Sequence, residues 1–90
     1  MLSVFHLDGD RLILQHYCSA GSQPRLELVR ADSSGLFFDL TGGTGFDPGT
    51  DGHIHSARFI IGPDRVESYW TWFDGGRSDH TAHRLFHRVR

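Results

Sequence analysis

Along most of the chain, apolar and polar residues alternate with a period of two, and short turn-forming clusters break the alternation at close intervals. Successive side chains of a pleated strand point to opposite faces, so this pattern predicts strands, and no window carries the 3.6-residue period of an amphipathic helix. The expected strands are residues 2–7, 11–18, 25–29, 36–40, 53–61, 65–73 and 79–89. Between them, "DGD" at Asp8, "DSSG" at Asp32, "GPD" at Gly62 and "DGG" at Asp74 supply Asx-type and positive-φ turn chemistry. The expected fold is all-β, an antiparallel up-and-down meander in one domain over residues 1–90.

Turn lengths phase the faces. A two-residue loop at Pro63-Asp64 pairs Ile61 with Val66, Phe59 with Ser68, Ala57 with Trp70 and His55 with Trp72, setting large residues against small ones. A two-residue turn in "DGG" then puts His83 and Leu85 on the same face. One face is thus expected to collect His53, His55, Trp70, Trp72 and His83. In the second strand, Leu12, Leu14, His16 and Cys18 share a face, and a two-residue turn in "DGD" adds Phe5 and Leu7 to it.

Ninety residues make a single domain with a modest core. The formal net charge of -2, with nine scattered arginines and no lysine, argues against a nucleic-acid surface. No signal-like or membrane-length apolar run occurs, which places the protein in the cytoplasm, away from membranes. One cysteine, Cys18, cannot form an internal disulfide and fits a reducing compartment. The glycine-rich stretch "TGGTGFDPGTDG", residues 41–52, lacks the Lys-Ser/Thr ending and the following helix of a phosphate loop.

The run "VFHLDGDRLILQHYCSAGSQPR", followed by "HIHSARF" and then "YWTWFDGG", resembles an uncharacterised lipocalin-like family of bacterial proteins in the calycin superfamily. Runs close to HLDGDRL, HYC, NQPR, HMH and WTW occur there in this order. The resemblance covers nearly the whole chain, departing at Ser22, where Asn is expected, and at Ile54, where Met is expected. It implies an up-and-down barrel with an internal cavity and no established activity. It also implies N-terminal strands that precede this stretch, so the barrel here is expected to be partial. A barrel short of strands exposes two sheet edges, which predicts a homodimer.

The candidate ligand-binding residues are His16, Cys18, Arg25, His53, His55, Trp70, Trp72 and His83. The histidines supply polar contacts, the indoles line an apolar pocket, and Arg25 fixes a carboxylate or phosphate at its mouth unless it pairs with Asp8, Asp10 or Asp39. His53 and His55, two apart on a strand, project from one face, as do His16 and Cys18. Brought together, the four would suit zinc, and one cavity histidine would suit haem, although the expected state has neither cofactor. Catalysis by Cys18 with His16 lacks an orienting third group. The favoured expectation is therefore a small barrel that binds an apolar or amphipathic molecule and is not an enzyme. The competing expectations are a metal-dependent enzyme and a strand-mediated self-associating domain without ligand.

Overall fold

The computed structural model describes residues 2–18 and 21–87. Seven antiparallel strands follow in chain order: β1 (Leu2–Asp8), β2 (Arg11–Tyr17), β3 (Gln23–Asp32), β4 (Gly35–Thr44), β5 (His53–Ile61), β6 (Arg65–Asp74) and β7 (Arg77–His87). They form one up-and-down sheet in the order β1 to β7, with no helix among the described residues. The all-β meander is as expected from the alternation. Strands β3 and β4 run longer than expected because Gln23 to Arg25 pair with Thr44 to Gly42, carrying the ladder into the glycine-rich stretch. The expectation for residues 88 and 89 lies outside the described residues.

Turn chemistry sets the register. Asp8 pairs with Arg11, so Gly9 and Asp10 form the first loop, and Phe5 opposes Leu14 while Leu7 opposes Leu12. Asp74 pairs with Arg77, leaving a Gly75-Gly76 loop with φ of 63° and 76°. Two consecutive positive-φ residues are what a type I′ hairpin demands, and glycine adopts both without a side-chain clash.

One face of the sheet is concave and apolar. Leu14, Leu26, Phe38, Ala57 and Phe59 form its buried cluster, with Leu12, Leu28, Leu36, Ile54, Val66 and Trp70 packed around it. Phe5 meets Phe38 and Phe59 edge-on at centroid distances of 5.8 and 5.4 Å. A β1 side chain touching β4 and β5 requires the sheet to curl around this cluster. The curl stops short of closure. Six antiparallel steps leave β1 and β7 running in the same direction, so a direct seam between them would be a parallel pair, which this pattern of ladders does not make.

Two β-bulges correct the expected phasing. Between β5 and β6, Ile61–Val66, Phe59–Ser68 and Ala57–Trp70 pair as expected, but the register steps at His55, so Trp72 opposes Ile54. A bulged residue sends the preceding part of the strand to the opposite face. Ile54 therefore joins Trp70 and Trp72 on the inner face, whereas His53 and His55 join Phe73 on the outer one. A second step, at Asp79, pairs Trp72 with His80 and Trp70 with Ala82, which turns His83 to the outer face beside Tyr69. The single face expected to hold His53, His55, Trp70, Trp72 and His83 is thus divided between the two sides of the sheet.

Candidate functional site

On the inner face, His16 sits on β2 opposite Ser3 of β1. Its ring is 4% exposed, its Nδ1 lies 2.9 Å from Ser3 Oγ, and its Nε2 is buried without a hydrogen-bond partner. The ring rests against Trp70 at a centroid distance of 5.4 Å. Burial pushes the imidazole below its ordinary pKa of 6.5, so the neutral ring is favoured. In front of it lies a cavity of about 310 Å³ lined by Ser3, His16, Ile54, Phe59, Val66 and Trp70, with Ala82, Arg84 and Phe86 of β7 on its far side. Besides His16, Ser3 and Arg84, the lining includes Ser68, whose Oγ already accepts the Trp70 Nε1–H at 3.0 Å. The indole donor is therefore satisfied, and among the lining residues His16 carries a buried ring nitrogen, Nε2, without a partner.

Trp72 lies on the same side but outside this lining. Gly52 packs against it so closely that a Cβ there would fall 2.6 Å from the indole ring, and its other neighbour is His80, stacked at 6.3 Å. Trp72 thus joins the glycine-rich stretch to the sheet, whereas Trp70 faces the cavity.

On the outer face, the residues of that glycine-rich stretch assemble a second cluster. Asp47 and Asp51 close a tight turn on themselves: Asp47 O accepts the Asp51 N–H at 2.7 Å, and Asp51 Oδ2 accepts the Asp47 N–H at 2.9 Å. The turn drops Phe46 onto His53, ring on ring at 4.8 Å, and His53 is fully buried. His53 Nδ1 donates to Asp51 O at 2.8 Å, because a carbonyl can only accept. In the neutral ring Nε2 is then an acceptor, and it lies 2.9 Å from Nδ1 of His55, which donates to it. His55 is itself stacked on Phe73 at 3.8 Å with the rings 7° from parallel. The backbone carbonyl therefore fixes the tautomer of both histidines and leaves the lone pair of His55 on Nε2. Burial, reinforced by His53, lowers the His55 pKa, and Asp39 opposes the shift.

The remaining sequence candidates separate from both clusters. Cys18 follows the end of β2 and heads a turn, its N–H donating to Ser22 O and its carbonyl accepting from the Gly21 N–H. Arg25 reaches Asp8 across the outer side at 2.9 Å, the ion pair weighed from the sequence, and is no part of the cavity mouth. His83 stacks on Tyr69 at 4.5 Å and lies 3.7 Å from Glu67. The four residues proposed as metal ligands are not gathered, since His16 faces inward while His53 and His55 face outward. Among the described residues, no group of three or more His, Cys, Asp or Glu is arranged to hold a metal ion.

Ser3, Ile54, Phe59, Val66, Arg84 and Phe86 were not among the sequence candidates. A signal for Ser3 existed: once the turn closes at Asp8 and Arg11, position 3 must oppose position 16. Phe46, Asp51 and Phe73, which hold the histidine pair, carried no comparable signal, because their meeting depends on the loop turn and the His55 bulge.

No helix among the described residues is long and apolar enough to cross a membrane. The chain matches no family model, no curated protein and no solved structure.

Proposed function

We propose that the inner face binds a small, mostly apolar molecule carrying one hydrogen-bonding group, and that His16 Nε2 is the point where that group is held. A buried polar atom without a partner costs about 1–3 kcal/mol, and it is retained beside an apolar space large enough for a ligand. A volume of about 310 Å³ is at the small end of ligand pockets. A hydroxyl fits His16 in either neutral tautomer, since it can donate to a bare Nε2 or accept from a protonated one. Ile54, Phe59, Val66 and Trp70 would bury the apolar body, and Arg84 stands at the rim for a molecule with an acidic tail. The up-and-down sheet with an apolar concave face agrees with what the lipocalin-like resemblance implies. The binding role rests on the orphaned His16 nitrogen.

Aromatic and alkyl alcohols titrated against the protein test this directly, because Trp70 reports occupancy of the cavity through its fluorescence. Binding is expected to shift the emission and to raise the melting temperature, and His16→Phe is expected to weaken it by about tenfold, the value of one hydrogen bond to a buried group. Equal affinity in the wild type and the variant would remove His16 from the site. The absence of any spectral change with the whole series would remove the cavity.

A further inference from the structure

We propose that the outer face carries a second site, in which His55 Nε2 is the nucleophile that takes the acyl group of a small activated carboxylic ester and passes it to water. The site is independent of the inner cavity.

The histidine pair prepares one nitrogen for attack. Because His55 donates its Nδ1–H to His53, and His53 in turn donates to the Asp51 carbonyl, the free lone pair of His55 sits at Nε2 with no proton to be removed first. Stacking on Phe73 at 3.8 Å immobilises the ring by covering a face, whereas the Nε2 lone pair lies in the ring plane and stays open. Among the described residues Nε2 has no hydrogen-bond partner, and unlike His16 Nε2 it is not sealed from solvent. Burial, with His53 beside it, lowers the pKa of the ring from 6.5, so it is neutral and nucleophilic at neutral pH.

The surroundings suit an acyl donor. Ser56, the residue after His55, and Asp39 both line an open groove of about 340 Å³ that continues along Arg58, Tyr69 and Thr71. The register step at His55 is what turns the imidazole to this side, and bulges recur beside active sites because they re-aim a side chain in this way. No other described histidine combines these features. His16 and His53 are buried, and His83 is stacked on Tyr69. His80 is oriented by Asp79 at 2.7 Å but lies beside Trp72 on the inner side, away from the groove.

The step closes without a further reagent. The Nε2 lone pair forms a bond to the acyl carbon, and the ester C–O bond breaks with its electron pair leaving on the alcohol oxygen. The ring becomes an acylimidazolium that keeps its Nδ1–H on His53, and the Asp39 carboxylate, which already acts on His55 electrostatically, favours the positive charge. Water then adds to the acyl carbon and gives one proton to the departed alkoxide. The C–N bond breaks, its pair returns to Nε2, and the ring is left in its starting tautomer, so that ester and water have become acid and alcohol.

Hydrolysis of p-nitrophenyl acetate by the whole chain provides the test, with His55→Phe as the disrupting variant and His80→Gln as the control. The wild type is expected to outpace free imidazole at equal concentration, and His55→Phe to lose roughly tenfold or more of that rate while His80→Gln keeps it. The rate should rise with pH about a midpoint below 6.5, set by burial together with His53 on its own strand and Asp39 on β4, the β6 side being Phe73. Acid-quenched samples should carry the acetyl group on the peptide containing His55. A wild-type rate no greater than that of imidazole overturns the proposal, as does a loss confined to His80→Gln or an acetyl group found only on other histidines. Should His55→Phe fail to fold, the position of the acetyl group in the wild type decides.

Discussion

His53 Nε2 and His55 Nδ1 lie 2.9 Å apart, and the carbonyl of Asp51 at the far end of the pair dictates which of them carries the proton. Replacing His53 by leucine keeps much of the volume between Phe46 and Phe73 but leaves the Asp51 carbonyl and the His55 Nδ1–H without partners. The expected loss is about 2–3 kcal/mol in urea unfolding. His55→Phe retains the stack on Phe73 and strips only the donor to His53, so its loss should be near 1 kcal/mol. Long-range nitrogen–proton correlation spectra above neutral pH should show both rings protonated at Nδ1. Nε2 protonation of His53 would refute the relay.

Acid is expected to weaken the fold in a definite window. Burial is the first cause of the lowered pKa of both His16 and His55, so the folded protein binds their protons less readily than the unfolded chain. As pH falls through the ordinary histidine value of 6.5, the unfolded chain takes up protons that the folded rings still refuse. Stability is therefore complete above this pH and declines below it, until the folded rings also titrate. Asp32, lowered chiefly by its hydrogen bonds from Ser34, acts only in the acid range near and below 3.8 and does not confuse the window. Denaturant unfolding across this range should show the decline, and His16→Phe should make it shallower. A flat profile would contradict the burial of both rings.

The same His16→Phe variant should be more stable than the wild type in the absence of ligand. It removes one hydrogen bond to Ser3, which is partly accessible to water on the edge strand, and it also removes the buried Nε2 that has no partner. The second effect is the larger, giving an expected gain of about 1 kcal/mol with Trp70 still packed on an aromatic ring. A site kept at some cost to the empty fold is the expected mark of a binding group. Chemical unfolding of both forms without ligand checks this, and a clear destabilisation by His16→Phe would count against a binding role.

What the sequence made legible, and what it hid, divides at the two bulges. The "DGD" turn and the alternation of Leu12, Leu14 and His16 set β1 against β2 in the expected register, and the Pro63-Asp64 loop did the same for Ala57 and Trp70. Period-two logic failed where one extra residue enters a strand, at His55 and at Asp79, because a bulge leaves composition and turn spacing unchanged while moving every later side chain to the other face. His55 was thereby expected opposite Trp72 and is found stacked on Phe73. Cys18 and His16 looked equivalent from their spacing, yet β2 ends between them. Strand closure was equally hidden, since the curl depends on how Phe5 packs on Phe38 and Phe59 rather than on any local pattern.

Across the outer face, cross-strand neighbours on five strands form one ladder of guanidinium groups and rings. Arg30 lies 3.9 Å over Phe37, Arg58 lies 5.4 Å from Phe37 and 5.5 Å from Tyr69, and Tyr69 stacks on His83. Arg58 is pinned there by donating twice to Ser34 O, at 2.9 and 2.7 Å. A guanidinium already fixed by backbone contacts loses little further freedom in stacking, so its ring contacts should count at the upper part of the exposed cation–π range, about 1 kcal/mol each. Phe37→Leu and Tyr69→Leu are each expected to cost about 1–2 kcal/mol in urea unfolding. Because both rings share Arg58, the double variant should cost measurably less than the sum of the singles. Strict additivity would mean that Arg58 does not couple the two rings and that the ladder is a row of separate pairs.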